Sequence, residues 1–277
     1  MNNSRVPRAK KSLGQNFLIN EDVLKRIVDF IPDKYSDVVV EIGTGTGSLT
    51  KHLASRFNRV ITIEKDDRLI DWHEEESILP SNCQLIHRDV LEVPLVELSE
   101  LIGQKEFIVV GNLPYNISSQ ILIKLCEERQ YVPFASFLFQ KEVAQRIVAP
   151  PGGKDYGVLS VISQYAFNAK IAMNLHPNLF VPRPKVYSSL VLFDRKEPMP
   201  EAVNYKFFKR IVKMAFSQRR KKIINSLKPL KIDKDELMLC LKKVGINPQD
   251  RAEDIELKKY VLFSNELLKS FNYSSLT

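Results

Sequence analysis

The sequence predicts an α/β fold: an open parallel sheet with helices on both faces, followed by a small C-terminal all-helical domain. Between about residues 20 and 140, short β-branched segments alternate with segments of helical periodicity, which is the pattern of parallel βαβ units. From about residue 200 the strand pattern ends, and apolar residues recur at helical spacing. We therefore place a first domain at residues 1–199 and a second at residues 200–277.

Six short segments rich in β-branched and aromatic residues are the predicted strands, at residues 38–42, 60–64, 84–87, 107–111, 135–140 and 186–194. Between them, residues 48–57 and 118–129 have helical periodicity. Parallel strands joined by helices end at a common edge of the sheet, and open α/β sheets bind their ligands at that edge. The residues directly after these strands are therefore the candidates for a binding site.

The second domain begins after a short proline-bearing segment, residues 196–200, which includes Pro198. Beyond it, six apolar residues recur at helical spacing: Phe207, Phe208, Ile211, Val212, Met214 and Ala215. Asp233, with a glutamate three residues later, predicts a capping box at the start of a helix over residues 237–244. A last helix is predicted over residues 256–271.

The formal net charge of +8 is concentrated in two segments that contain no acidic residue. Residues 1–12, which include Arg5, carry a charge of +4, and residues 206–231 carry +10, so the rest of the chain is mildly acidic. Basic charge confined in this way indicates a polyanion bound at a defined surface. A solvated basic face is the alternative for either segment taken alone.

Composition argues against several classes of protein. No apolar run approaches the ~20 residues that span a bilayer, and no apolar segment follows the polar N-terminus as in a secretory signal. Cys83, Cys126 and Cys240 are far apart and lack a metal-binding spacing, so neither disulfides nor a metal site is expected. We expect a cytoplasmic protein that does not bind membranes.

A glycine-rich turn joins the first predicted strand to a helix. The strand at residues 38–42 continues into Gly-Thr-Gly-Thr-Gly at residues 43–47, where missing side chains let a ligand approach the backbone. Glu64 ends the next strand, where a carboxylate can accept the hydroxyls of an adenosine ribose. These two features fit NAD and S-adenosylmethionine almost equally.

Three further residues favour S-adenosylmethionine. The NAD fingerprint G-x-G-x-x-G requires glycine where this chain has Ser48. Glu41 would repel a pyrophosphate, whereas a carboxylate suits the cationic sulfonium of S-adenosylmethionine. Asp89 follows the third strand, where an acid can accept the adenine amine of that cofactor. Capping of a helix N-terminus is the alternative role for Asp89.

The fourth predicted strand ends in the tetrapeptide Asn112-Leu113-Pro114-Tyr115. An adenine amine is a poor nucleophile because its lone pair is delocalised into the ring. The side-chain carbonyl of Asn112 and the backbone carbonyl of Leu113 can accept both amine hydrogens and return the lone pair toward a methyl group. Tyr115 offers a ring on which an extruded base can stack. A plain proline turn is the alternative, which the position at the ligand-binding edge disfavours.

Eight segments in chain order resemble motifs of the small-subunit ribosomal RNA adenine dimethyltransferases, the KsgA type. They are residues 11–18, 40–47, 112–115, 140–144, 156–160, 180–186, 216–221 and 251–255. The resemblance covers nearly the whole chain, and no cofactor or catalytic position departs from the family pattern. It implies a class I S-adenosylmethionine-dependent methyltransferase sheet, which is Rossmann-like with one antiparallel strand.

The resemblance also implies roles for the cofactor-binding residues. Asn16 and Leu18 would contact the cofactor, and Gly43 would lie against its methionine part. Glu64 would hold the ribose, and Asp89 would hold the adenine.

On the substrate side, Asn112 would lie near both the cofactor and the target amine, with the Leu113 carbonyl as the second acceptor. Phe180 would close on the face of the flipped base opposite Tyr115. Taken alone, a phenylalanine such as Phe180 is more often a core residue.

The activity implied by the resemblance is transfer of methyl groups to two neighbouring adenosines near the 3′ end of small-subunit rRNA. The substrate would be the assembling small ribosomal subunit rather than free RNA. We expect the chain to act as a monomer, with a basic N-terminal arm and an RNA-binding helical domain, and not to bind DNA.

Three alternatives stay open. A large-subunit rRNA dimethyltransferase of the macrolide-resistance type shares the catalytic domain, but residues 216–221 and 251–255 argue against it. A DNA adenine methyltransferase would need a DNA-reading element, which the sequence does not resemble. A ribosome assembly factor without catalysis would not need Glu64, Asp89 and the intact tetrapeptide.

Overall fold

The computed structural model describes residues 6–197 and 200–271, so Arg5 of the basic arm and Pro198 of the predicted linker lie outside the described residues. The chain divides into two compact units. The first consists of Met1–Ala144 with Asn168–Arg195, and the second of Gln145–Phe167 with Lys196–Thr277. The boundary near residue 196 is close to the one expected from sequence, but residues 145–167 group with the second unit.

The described residues form nine strands, in two sheets. The strands are β1 (Phe17–Leu18), β2 (Val38–Ile42), β3 (Arg59–Glu64), β4 (Cys83–His87), β5 (Ile108–Gly111), β6 (Phe134–Gln140), β7 (Phe167–Leu175), β8 (Phe180–Val181) and β9 (Ser188–Arg195). The main sheet has the order β4-β3-β2-β5-β6-β9-β7. Its strands from β4 to β6 are parallel, and β9 pairs antiparallel with β6. β1 and β8 form a separate antiparallel pair.

The described residues also form eleven α-helices. They are α1 (Glu21–Asp29), α2 (Ser48–Ala54), α3 (Asp67–Glu76), α4 (Leu95–Ile102), α5 (Ser118–Glu127), α6 (Lys141–Val148), α7 (Val158–Ala166), α8 (Tyr205–Phe216), α9 (Ile223–Ser226), α10 (Lys234–Lys243) and α11 (Leu257–Phe271). Asp233 is the N-cap of α10, because its carboxylate accepts the N–H of Asp235 at 2.8 Å, and the helix begins at Lys234 rather than at the predicted residue 237. All six predicted strands are present, whereas β1, β7 and β8 were not predicted.

The core of the first unit lies on both sides of the parallel strands. Every residue of β2 and β5 is buried, which is why these strands are continuous apolar runs rather than alternating ones. Val39 and Ile108 pack with helix residues such as Leu53 in this core. The chain leaves β2 in one direction through β3 and β4 and in the other through β5 and β6, so the sheet has a topological switch point between β2 and β5.

The second unit is helical, and α7, α9 and α11 contact the helix α8. One face of α8 is apolar and buried, including Phe208, whereas Lys206, Arg210 and Lys213 are exposed. The ring of Tyr165 on α7 lies 4.9 Å from that of Phe208, centroid to centroid. This packing explains why residues 145–167 belong to the helical unit although they precede the last strands in sequence.

No helix within the described ranges is long and apolar enough to cross a membrane. In the same part of the chain, no group of three or more His, Cys, Asp or Glu side chains is placed to hold a metal ion.

Candidate functional site

A cavity of about 310 Å³ opens at the carboxyl ends of the parallel strands in the first unit. It lies at the switch point between β2 and β5, where open α/β sheets bind ligands. Its lining includes all six residues that the sequence assigned to a cofactor: Asn16, Leu18, Gly43, Glu64, Asp89 and Asn112. These residues come from five separate segments of the chain, which the fold brings to one place.

The glycine turn forms one wall of the cavity. Gly43 and Gly45 have φ angles of +82° and +55°, a region that side-chain-bearing residues rarely adopt. A Cβ on Gly45 would lie 3.2 Å from the ring of Phe17, so glycine is needed both for the turn and for the segment that packs over it.

Glu64, at the end of β3, is held by backbone N–H groups. It is only 8% exposed. Its Oε2 accepts the N–H of Gly45 at 3.0 Å, and its Oε1 accepts those of Lys65 and Asp66 at 2.8 and 2.9 Å. The two oxygens of a carboxylate offer about four acceptor positions. The three bonds therefore fix the side chain in the cavity wall and leave acceptor capacity for a ligand hydroxyl.

Asp89 lies two residues beyond β4. Its Oδ1 accepts the N–H of Leu91 at 2.9 Å, and its Oδ2 accepts the ammonium of Lys65 at 2.5 Å. Burial raises the pKa of Asp89, but the hydrogen bonds from Lys65 and Leu91 outweigh it and hold the pKa below its ordinary value. Helix α4 has Pro94 as its N-cap, so Asp89 closes a turn and does not cap a helix.

Glu41, on β2, is the second buried acid of the site, and only 1% of it is exposed. The hydroxyl of Thr50 donates to its Oε2 at 2.6 Å. Burial raises the pKa of Glu41 to about 8, the Thr50 bond opposes this, and the charge of Glu64 adds to it. At pH 7 the group is therefore mostly the neutral acid.

The tetrapeptide begins at the end of β5. The side-chain amide of Asn112 donates to the backbone carbonyl of Asn16 at 2.7 Å, which leaves the Oδ1 of Asn112 as an acceptor. The carbonyl of Pro114 accepts the N–H groups of Ile117 and Ser118 at 3.2 and 3.1 Å. The chain thereby turns into α5, and the preceding carbonyl, that of Leu113, stays outside the hydrogen bonds of this helix.

Tyr115 and Phe180 do not line the cavity. The hydroxyl of Tyr115 lies 2.5 Å from the Oγ of Ser188, and burial raises the pKa of Tyr115. Phe180 is 2% exposed and belongs to the apolar core, where β8 pairs it with Leu18. The side chain of Leu113 is also buried. The stacking of a base between Tyr115 and Phe180 stays a prediction.

The N-terminal segment covers the site through bonds that were not predicted from sequence. The Nε2 of Gln15 donates to Asp66 at 2.9 Å, and the Oε1 of Gln15 accepts the N–H of Lys10 at 2.7 Å. Asp66 in turn donates its N–H to Glu64. Gln15 stands inside the motif at residues 11–18, which is the signal that could have identified it.

Comparisons with known proteins agree with one another. A family model described as ribosomal RNA adenine dimethylase matches residues 6–269. A protein of Clostridium botulinum (strain Langeland / NCTC 10281 / Type F), named ribosomal RNA small subunit methyltransferase A, is 41% identical over 252 residues, 90% of each chain. A solved dimethyladenosine transferase from Plasmodium falciparum has a TM-score of 0.75 at 25% identity, covering 91% of this chain and 98% of that one. The 23S rRNA methyltransferase ErmE has a TM-score of 0.64 at 25% identity, covering 91% and 99%.

Replacing Glu41 by glutamine should alter the pH dependence of stability. Glu41 titrates near 8 when folded, against an ordinary value of 4.5. The stability gained from the neutral acid is therefore complete below about pH 4.5 and is lost as the pH rises toward 8. The unfolding free energy of the wild type relative to Glu41→Gln should fall by up to about 1.4 kcal/mol per pH unit between about pH 5 and 8.

The measurement is urea unfolding of both proteins at several pH values in this range. Glu100→Gln, at an exposed position on α4, is the matched control and should differ from the wild type by a constant amount. A constant difference for Glu41→Gln as well would contradict the raised pKa.

Proposed function

The chain belongs to the ribosomal RNA adenine dimethylase family, and from that premise we propose that it transfers methyl groups from S-adenosylmethionine to the exocyclic amines of two adjacent adenosines near the 3′ end of small-subunit rRNA. The class I methyltransferase fold expected from the resemblance is confirmed by the solved structures and the sheet order. The observation that carries the proposal is one cavity lined by Glu64, Asp89 and Asn112. The acids that we assign to the cofactor and the first residue of the tetrapeptide thus line one cavity.

The residues of the cavity fit S-adenosylmethionine. The volume of about 310 Å³ is at the lower end of the range for small-molecule sites. Glu64 would accept a ribose hydroxyl, Asp89 would accept the adenine amine, and the turn at Gly43 would lie against the methionine part. When bound, this cofactor supplies a methyl group on a positively charged sulfur.

Asn112 and Leu113 would prepare the adenine amine. The Oδ1 of Asn112 is left to accept because its amide nitrogen is committed to Asn16. It would take one amine hydrogen, and the carbonyl of Leu113 would take the other. Asn112 is neutral and does not act as a strong base, so the rate would come from positioning and from electrostatics that localise the lone pair.

Tyr115 would support the base whose amine is methylated. Its hydroxyl contact with Ser188 fixes the ring direction, and base stacking on such a ring is worth about 1–3 kcal/mol. For Phe180 to close on the other face, its ring would have to leave the apolar core in which it is buried.

The basic stretch at residues 206–231 would contact the rRNA backbone. Its residues differ in whether their side chains are bonded within the protein or exposed. Arg219 donates to the carboxylate of Glu253 at 2.8 Å and to the carbonyl of Tyr156 at 2.9 Å. Arg220 and Lys221 are exposed. We therefore assign Arg219 to bracing the helical unit and Arg220 and Lys221 to phosphate contacts.

We further propose that the chain acts in the cytoplasm as a monomer on the assembling small subunit, and not on DNA. Its three cysteines are free thiols, which suits a reducing compartment. The architecture matches both a dimethyladenosine transferase and a 23S rRNA methyltransferase. The choice of subunit is supported instead by the name of the relative at 41% identity.

The function is tested by transfer of labelled methyl groups from S-adenosylmethionine to three substrates. Small subunits that lack the modification should accept label as dimethyladenosine at two adjacent positions near the 3′ end of their rRNA. Large subunits and duplex DNA should be poor substrates, as the name of the relative at 41% identity indicates for the choice of ribosomal subunit. Nucleoside analysis of the digested RNA gives the readout, and label mainly in large-subunit rRNA would favour the macrolide-resistance alternative.

Replacing Glu64 by glutamine should weaken S-adenosylmethionine binding by roughly 10- to 150-fold, the equivalent of one lost charge-assisted hydrogen bond. Calorimetry measures the affinity, and a thermal melt checks that the fold is intact. Glu74→Gln, at an exposed position on α3, is the control and should bind normally. An unchanged affinity in Glu64→Gln would refute the assignment of this residue.

Neutralising Arg220 and Lys221 together should flatten the salt dependence of RNA binding. Loss of two phosphate contacts lowers the slope of log affinity against log salt by roughly 1.4 to 1.8. The probe is the 3′-terminal region of small-subunit rRNA, titrated at several salt concentrations. Lys234 and Lys242 are exposed on α10, and their double glutamine variant is the matched control.

If the slope does not change in the Arg220 and Lys221 variant, these residues face solvent without contacting RNA. Arg219→Ala should instead lower the melting temperature, because it leaves the Glu253 carboxylate without this partner.

A further inference from the structure

Tyr187 is an exposed aromatic residue on the ligand-binding edge of the main sheet. It directly precedes β9, whose first residue, Ser188, is paired with Gln140 at the carboxyl end of β6. The N–H of Lys141 donates to the carbonyl of Tyr187 at 2.9 Å. Because β9 runs antiparallel to β6, the beginning of β9 lies at the same edge as the carboxyl ends of the parallel strands, where the cavity opens.

The surroundings of Tyr187 hold its ring in place without burying it. The residue is 47% exposed. The ring of His176 lies perpendicular to it, with 5.1 Å between centroids, and the ammonium of Lys141 lies 5.8 Å from the centroid. The Nδ1 of His176 accepts the N–H of Asn178 at 3.2 Å, which fixes the imidazole that supports the tyrosine.

The segment around Tyr187 is basic and partly apolar. The sequence has no acidic residue between Asp155 and Asp194. Arg183 and Lys185 are exposed in this segment, as is Val186. Exposed rings among cations are the chemistry with which proteins hold single-stranded nucleic acid, because every base has a face that can stack and every nucleotide carries a phosphate.

A hydrogen bond connects this surface to the tetrapeptide. Ser188, the neighbour of Tyr187, is buried and its Oγ lies 2.5 Å from the hydroxyl of Tyr115. Tyr115 follows Pro114, which lines the cavity. A target base must leave its stack to reach Asn112. The nucleotide next to it in the strand then needs a binding surface of its own close to the opening of the cavity.

We propose that Tyr187 and Lys141 form a subsite for the nucleotide that flanks the adenosine being methylated. The ring of Tyr187 stacks on the flanking base, and the ammonium of Lys141 meets a phosphate of the same strand. The inference rests on the proposed function and adds to it a binding site for the neighbouring residue of the substrate. In a substrate with two adjacent target adenosines, this subsite holds one of them while the other reacts.

The test is the kcat/KM of methyl transfer to unmethylated small subunits, measured with the full chain at saturating S-adenosylmethionine. Tyr187→Ala should lower kcat/KM by roughly 5- to 150-fold, the range for loss of one stacked base. Tyr187→Phe keeps the ring and should stay within about twofold of the wild type. Tyr187→Leu keeps apolar volume without an aromatic face and should resemble the alanine variant.

The matched control is Leu101→Ala, which removes an apolar side chain that is 42% exposed. The carbonyl of Leu101 accepts from Arg59 at the beginning of β3, so this residue lies at the opposite edge of the sheet. Leu101→Ala should transfer methyl groups like the wild type. Calorimetry should show wild-type affinity for S-adenosylmethionine in all four variants.

The outcomes separate this inference from the proposed function. A wild type that does not methylate small subunits would overturn the proposed function and the subsite with it. An active wild type together with wild-type efficiency in Tyr187→Ala would overturn the subsite alone. Full activity in Tyr187→Leu, or a loss of cofactor affinity in Tyr187→Ala, would also overturn it, because the ring would then serve packing rather than stacking.

Discussion

The carboxylate of Glu64 is the centre of the hydrogen bonds that hold the ligand-binding edge together. It accepts N–H groups from the glycine turn and from the turn after β3. Asp66 carries the connection on to Gln15 in the N-terminal segment, and the carbonyl of the next residue, Asn16, holds the amide of Asn112. The glycine turn, the N-terminal segment and the tetrapeptide are therefore connected through one buried acid, Glu64.

The two buried acids of the site, Glu41 and Glu64, have different surroundings. Glu64 is surrounded by N–H donors, whereas Glu41 has hydroxyl partners in an apolar strand, and its pKa is raised to about 8. The neutral form of Glu41 avoids a second buried negative charge beside Glu64.

The two compact units provide different surfaces. The cavity and its rim, with Asn112 and the exposed ring of Tyr187, belong to the first unit, and the exposed basic residues of α8 and the following turn belong to the second. Chemistry at an adenine amine needs a dry, fixed set of acceptors, whereas recognition of an rRNA backbone needs exposed, mobile cations. One set of side chains cannot meet both requirements, so the two surfaces use different residues.

The sequence by itself determined the parallel strands, the glycine turn and the six cofactor-assigned residues of the cavity. β-branched runs, glycine-rich turns and the position after each strand are local signals that the topology brings together. Only the tertiary structure decided the features that depend on contacts between residues far apart in the chain. The two-residue pairing of β1 with β8, which buries Phe180, is too short to leave a pattern. The ion pair of Arg219 with Glu253 and the raised pKa of Glu41 follow from neighbours and burial that no local pattern encodes.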